Sequence, residues 1–415
     1  MSAMAAVPAL PEFMALALLA VLGLQLLLTL RFRAVVHQRL RQRPPLQPPL
    51  PAAEVVLCLR GADPSLPAAL AALAAQSYPG PWRLLLLVDS RQDPAWSVAE
   101  AQIRSLEASG AARWCAARLI PLADPPRWGS LKSAALRQAC AALDPATDLL
   151  ALVDGDAVVA PGWLEALAAG CAQPGVGAVS GNRWYVPAAG TGPGRVRAIW
   201  NAGALVLMTL FTIPWGGSLA LRRAVINGTA WHERLATSLC EDTPLPQALA
   251  GSGWRYEFRP ELLALDQDDG IALATLTRWI SRQLLTARLH HRAWPLVALH
   301  GLGSAGLLLL ALLLVLRAGW QGQLADGALL LAALLGYEIG CVGLLLLIAA
   351  SARRALAPLG QVLPPARLAD AWQLLRWLPV AQAVYGGATL RAAWARRVEW
   401  RGVRYRVRGD AVERL

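Results

Sequence analysis

The sequence predicts an α/β protein: a mostly parallel sheet with helices on both faces, and membrane-spanning helices at both ends of the chain. Three observations carry this. Apolar runs at Glu54–Arg60, Arg83–Asp89 and Leu149–Val153 alternate with helix-patterned stretches, the signature of βαβ units. Apolar stretches at 11–30, 294–316 and 324–350 reach the ~20 residues that a bilayer core requires. The 415-residue chain is 56% apolar with a mean hydropathy of +0.42, high for a soluble protein.

Residues 1–30 form the expected N-terminal anchor. Arg31, Arg33, Arg39, Arg41 and Arg43 follow with no small-residue cleavage site, and no basic region precedes the apolar run, so a retained anchor is expected. The positive-inside rule then places the next domain in the cytoplasm of an integral plasma- or inner-membrane protein. Residues 31–51 are a basic, proline-rich linker. Within 52–292, helices are expected over Leu66–Gln76, near Trp96–Ser109 and over Ser130–Ala142, with a short strand at Arg113–Ile120. Residues 198–217 are long enough to span. A crossing would separate Asp154 and Asp156 from Glu241-Asp242, so a buried or membrane-surface helix leading into a strand at Gly217–Arg222 is expected instead. Residues 293–350 supply two further spans. In 351–415, the apolar stretch Trp372–Leu390 contains Arg376, Pro379 and Gly386-Gly387 and precedes an Arg-rich tail. A re-entrant or interfacial pair of short helices is expected there, with the tail cytoplasmic.

The formal net charge is +12, and Lys132 is the single lysine. The Arg clusters lie beside apolar runs, which points to an anionic membrane surface rather than nucleic acid. Six scattered cysteines without metal spacing point to reduced thiols.

The chain is organised around Leu149–Leu167, where a strand ends in Asp154-Gly155-Asp156. Residues two apart on an extended segment project to the same side, so the carboxylates can share a hard cation such as Mg²⁺ or Mn²⁺; a solvated turn is the plain alternative. Asp89 and Asp93 follow the second strand at the same sheet edge, where open α/β sheets bind ligands. Glu241-Asp242 is either a helix cap or a pair in which Asp242 acts as a general base. Lys132 stands where every other basic residue is Arg, as a compact ammonium suits a tight phosphate or base contact. Trp200-Asn201 and Trp215–Ser218 are candidates for an acceptor groove or for interfacial anchoring.

In order and spacing these residues resemble membrane-anchored family 2 glycosyltransferases of the GT-A fold, and within them the ceramide glucosyltransferase group. The likeness begins with Arg60-Gly61-Ala62-Asp63-Pro64-Ser65-Leu66. It runs through Asp93-Pro94-Ala95, Asp154-Gly155-Asp156, Gly216-Gly217-Ser218 and Glu241-Asp242 to Trp400–Arg406. The resemblance implies a UDP-sugar donor contacted by Arg60, Asp63, Asp89 or Asp93, Lys132 and Asp154. It implies Mg²⁺ or Mn²⁺ on Asp154 and Asp156, and Asp242, beside Glu241, as the base of an inverting transfer to a lipid acceptor. Trp200, Asn201, Gly217, Arg282 and Gln283 would face the acceptor and leaving group. Two departures stand out. Ser90 falls where the ceramide enzymes carry an acidic residue. The Q/R-x-x-R-W motif reads Arg282-Gln283-Leu284-Leu285-Thr286, with Arg278-Trp279 upstream in a different register. A processive polysaccharide synthase, or a non-catalytic membrane protein retaining a sugar-nucleotide fold, are the alternatives; the first calls for an intact motif and a translocation channel.

Overall fold

The computed structural model describes residues 10–187, 191–267 and 270–415, so the first nine residues of the expected anchor lie outside it. The chain opens with α1 (Leu10–Arg41) and runs through residues without helix or strand into β1 (Ala53–Leu59). Then come α2 (Leu66–Ala74), β2 (Trp82–Val88), α3 (Pro94–Ala108), β3 (Ala116–Pro121), α4 (Leu131–Ala142), β4 (Leu149–Val153) and α5 (Trp163–Cys171). The next elements are β5 (Val176–Val186), α6 (Gly192–Leu210), β6 (Ser218–Arg222), the short α7 (Arg223–Gly228), α8 (Trp231–Arg234) and α9 (Leu245–Leu249), and β7 (Arg255–Gln267).

These strands form one seven-stranded sheet in the order β3-β2-β1-β4-β6-β5-β7. Strands β1 to β4 are parallel; β6 runs antiparallel to β4 and β5, and β5 pairs β7 in parallel. Alternate residues face opposite sides. Val55, Leu57, Leu84, Leu86 and Val153 pack under α2, α3 and α5, while Val56, Leu85, Leu87, Leu150 and Leu152 pack on α4 and α7–α9. Burial on both faces is why these strands read as unbroken apolar runs.

Among the described residues three helices are long and apolar enough to cross a membrane: α1, α11 (Trp294–Trp320) and α12 (Leu324–Leu356, whose run the 3₁₀ turn extends to Leu359). The sheet's outer edge joins two of them, α1 and α12, to the α/β body. Phe32 and Val36 of α1 and Ala352, Ala355 and Leu356 of α12 pack with Phe258 and Leu263 of β7, and Arg39 pairs with buried Glu257 at 2.8 Å. Helix α6 covers 198–210 and is not among the three spans; it buries Val196, Ile199, Leu205 and Val206 and leads into β6, as expected.

Residues 372–390 differ from expectation. They belong to one continuous helix, α13 (Leu368–Trp394), not to a pair of short helices. The physical reason is packing. A Cβ on Gly386 would lie 2.5 Å from Ala305 Cβ, and one on Gly301 would lie 2.5 Å from Thr389 Oγ1. The glycines therefore serve the close crossing of α11 and α13 rather than a break, and the helix continues through Pro379. The Arg-rich tail is also structured, as β8 (Arg397–Trp400), β9 (Val403–Arg408) and β10 (Ala411–Arg414) in an antiparallel sheet. It docks on the α/β body through an ion pair between Arg127 and Glu413 and the Tyr405 hydroxyl, which accepts from Leu131 N at 3.2 Å.

Candidate active site

Four parallel strands deliver their C-terminal ends to one edge, and the loops there surround a cleft of about 620 Å³. Arg60, Asp63, Asp89, Lys132, Asp154, Asp156, Trp200, Asn201, Gly217, Glu241, Asp242, Arg282 and Gln283 all line it. Asp93 does not. It caps α3 by accepting from Ala95 N at 2.8 Å and holds the loop after β1 by accepting from Gly61 N at 2.9 Å. Asp89 pairs with Arg60; burial pushes its carboxyl up while the guanidinium opposes the shift.

The centre is a charge cluster. Lys132 Nζ donates to Asp154 Oδ1 at 2.7 Å and sits 2.7 Å from Glu241 Oε1. It projects from the first turn of α4, whose N-cap Ser130 accepts from Ser133 N. Arg183, on β5, places one terminal nitrogen 3.1 Å from Asp154 Oδ2 and 3.0 Å from Asp156 Oδ1. Its other terminal nitrogen lies 3.4 Å from Asp156 Oδ2 and 3.0 Å from Asp266. Burial would raise the Asp154 carboxyl, but Lys132 and Arg183 outweigh it and hold it at about 2. Glu241 is 1% exposed, and apart from Lys132 neither oxygen has a partner among the described residues. Burial pushes it up to about 7 against the opposing pull of Lys132.

Asp242 is oriented by three hydrogen bonds: Oδ2 accepts from Gly216 N at 2.8 Å, and Oδ1 from Thr243 N at 2.6 Å and Thr243 Oγ1 at 3.0 Å. Close approach explains the adjacent glycines. A Cβ on Gly216 would lie 1.8 Å from Glu241 Oε1, and one on Gly217 2.6 Å from Asp154 Oδ2 and 2.2 Å from the Trp215 ring. The missing side chains let Glu241, Asp154 and the Trp215 ring approach the backbone here. The pair offers hard oxygen donors suited to Mg²⁺ or Mn²⁺. Among the described residues no group of three or more His, Cys, Asp and Glu is arranged to hold a metal.

On α10 (Leu273–His290) the residues at 275, 278, 279, 282, 283 and 286 line the cleft, one face of a helix. Arg278-Trp279 thus enters the site beside Arg282 and Gln283. Arg282 stacks on Trp400, its guanidinium 4.9 Å from the ring centroid, and burial lowers it to about 10. Sequence reasoning missed Arg183, whose position inside an apolar strand carries no spacing signal. It placed Arg401 in the Trp400–Arg406 stretch of the resemblance without a site role; at the tip of the C-terminal hairpin its guanidinium donates to Arg60 O at 3.1 Å while its own carbonyl accepts from Arg60 Nε at 2.8 Å.

Asp242, Trp200, Trp215 and Gln283 also border a second, apolar chamber of about 240 Å³. It is lined by α1, α6, α10, α11, α12 and α13 together with the loop that follows α6.

No curated protein matches the sequence. Among solved structures, a mannosyltransferase from Pyrobaculum calidifontis in complex with GDP-Man and Mn²⁺ is 18% identical; the alignment covers 93% of this chain and 99% of that one, with a TM-score of 0.49. Glucosyl-3-phosphoglycerate synthase of Mycobacterium tuberculosis is 15% identical over 57% of this chain and 79% of that one, with a TM-score of 0.37. The profile of glycosyl transferase family 21 matches residues 14–412, from the first membrane helix to the last strand of the C-terminal sheet. A match of that extent takes in every element that borders the cleft, and the chain is a glycosyltransferase belonging to glycosyl transferase family 21.

Proposed function

We propose that this glycosyltransferase moves a sugar, glucose in the first instance, from a UDP-sugar to a lipid hydroxyl at the cytoplasmic membrane face, with inversion at the anomeric carbon. The observation that carries the reading is the position of Asp242 between two compartments. On one side lies the polar, charged cleft, and on the other the apolar chamber among the membrane helices. A lipid whose chain occupies the chamber would bring its hydroxyl to this carboxylate without leaving the bilayer.

Asp242 would accept the hydroxyl proton as the acceptor oxygen bonds to the anomeric carbon and the bond to the diphosphate breaks, releasing UDP. A single displacement with one base inverts the centre. Arg60, Asp63 and Asp89 would contact the nucleotide, with Asp93 bracing their loop, and Lys132 would face the diphosphate. Asp154 and Asp156 fit Mg²⁺ or Mn²⁺, which when bound would offset the charge of the leaving nucleotide. Trp200, Gly217, Arg282 and Gln283 would shape the acceptor and leaving-group side, and Asn201 supports Arg183 by donating to its carbonyl at 2.8 Å. The Arg residues that follow the α1 span and Arg353-Arg354 of α12 lie at the helix ends packed near the sheet, which supports a cytoplasmic catalytic body.

The test is UDP release from UDP-glucose by detergent-purified protein with Mn²⁺, with and without membrane lipid. Lipid should stimulate release. Asp242→Asn should lower the rate by about a thousandfold, within the range for loss of a general base, while changing UDP affinity less than about twofold; Asp154→Ala should lose both. Undiminished release by Asp242→Asn would refute the assignment.

A further inference from the structure

All four oxygens of the Asp154–Asp156 pair are already engaged by the protein's own cations. Lys132 holds Asp154 Oδ1 at 2.7 Å; Arg183 holds Asp154 Oδ2 at 3.1 Å and the Asp156 oxygens at 3.0 and 3.4 Å. Arg183 is no surface residue free to swing away. It is largely buried, and its guanidinium carbon lies 4.8 Å from the Trp215 ring centroid. It contacts Tyr185 Oη at 3.2 Å and Asp266 at 3.0 Å, and its carbonyl is held by Asn201. A divalent cation reaching the pair must displace the guanidinium from at least one carboxylate. Once the guanidinium is displaced, the carboxylate oxygens it held are free for the cation, provided Arg183 gains a replacement anion. A diphosphate in the adjoining cleft is such an anion, and a planar guanidinium can bind it with two nitrogens.

We propose that Arg183 is a resident counter-cation of the Asp154–Asp156 pair, so that a divalent cation binds tightly only together with a nucleoside diphosphate, whose phosphates take over the guanidinium. The inference rests on the nucleotide-sugar reading of the cleft. It adds to that reading a coupling between the two ligands and assigns it to one positioning residue.

The test is direct Mn²⁺ binding, followed by the electron paramagnetic resonance signal of free Mn²⁺, on full-length protein in detergent with and without UDP. The wild type should bind Mn²⁺ at least about tenfold more tightly with UDP present, beyond chelation by UDP itself; about tenfold corresponds to ~1.4 kcal/mol of coupling. Arg183→Met should bind Mn²⁺ without nucleotide at least about tenfold more tightly than the wild type, with a reduced response to UDP. Arg183→Lys, which keeps the charge without the fork, should fall between and decides the matter should the Met variant not fold. Equal nucleotide-free affinity in the wild type and the folded variant overturns the proposal. Failure of every protein to bind UDP would instead count against the nucleotide-sugar reading, and the nucleotide-free comparison would still decide the role of Arg183.

Discussion

Replacing Lys132 by Met removes the ammonium that sits 2.7 Å from both Asp154 and Glu241. Asp154 keeps Arg183 at 3.1 Å, whereas Glu241 is left without a counter-charge in a site 1% exposed. A carboxyl so placed takes up a proton rather than remain charged. In the wild type burial has already raised Glu241 to about 7, with Lys132 pulling against the rise, so its removal moves the group higher still. The sign follows from proton linkage. A carboxyl raised above its unfolded value of about 4.3 binds a proton in the native state that the unfolded chain has released. Its contribution to stability is full at acidic pH and is lost as pH rises through the folded value. In the wild type that loss ends near pH 7; in Lys132→Met it continues. The stability gap between the two proteins should therefore widen by about 1.4 kcal/mol per pH unit above neutrality, or about 2 kcal/mol from pH 7 to 8.5. For a domain of this size that is on the order of 4–8 °C in melting temperature. Differential scanning fluorimetry in detergent at half-unit steps from pH 6.5 to 8.5, at one scan rate, measures it. A gap that stays constant with pH would refute the idea that Lys132 holds the charge of Glu241.

Gly217→Ala would force a methyl to within 2.2 Å of Trp215 and 2.6 Å of Asp154, shifting the ring on which Arg183 rests. Binding of Mn²⁺ with UDP should weaken by about tenfold or more, or ~1.4 kcal/mol, with an unchanged circular dichroism spectrum; unaltered affinity would mean that the site does not require the glycine. Arg401 adopts φ +46 beside Gly402 at φ +77, a left-handed conformation that costs a non-glycine residue about 1–2 kcal/mol. Arg401→Gly should keep or raise the melting temperature yet weaken UDP binding by several-fold, roughly 1 kcal/mol. A fall in stability with UDP affinity retained would make the hairpin tip structural only.

Strands β1 to β4 and β6 and the three membrane helices were legible because each is a local pattern, whereas β5 and β7 were not read from the sequence. An unbroken apolar run marks a strand buried on both faces, and about 20 apolar residues mark a span. Asp154-Gly155-Asp156 was legible for the same reason, since two carboxylates at spacing two on one strand end are a local feature. What the sequence could not determine depends on elements far apart in the chain. Gly386 and Pro379 read as a break, and only the crossing of α11 over α13 turns them into a continuous helix with a close contact. Asp93 read as one more acid at the sheet edge, but the structure makes it a cap that ties Gly61 in place. Arg183 reaches Asp154 across 29 residues and Arg401 reaches Arg60 across 341, so neither pairing has a spacing to be read. The sequence by itself determined which charges the protein carries and which stretches must be buried. Tertiary structure decided which charges neutralise one another, because ion pairing depends on distance in space, and it alone set Asp242 between the polar cleft and the membrane chamber.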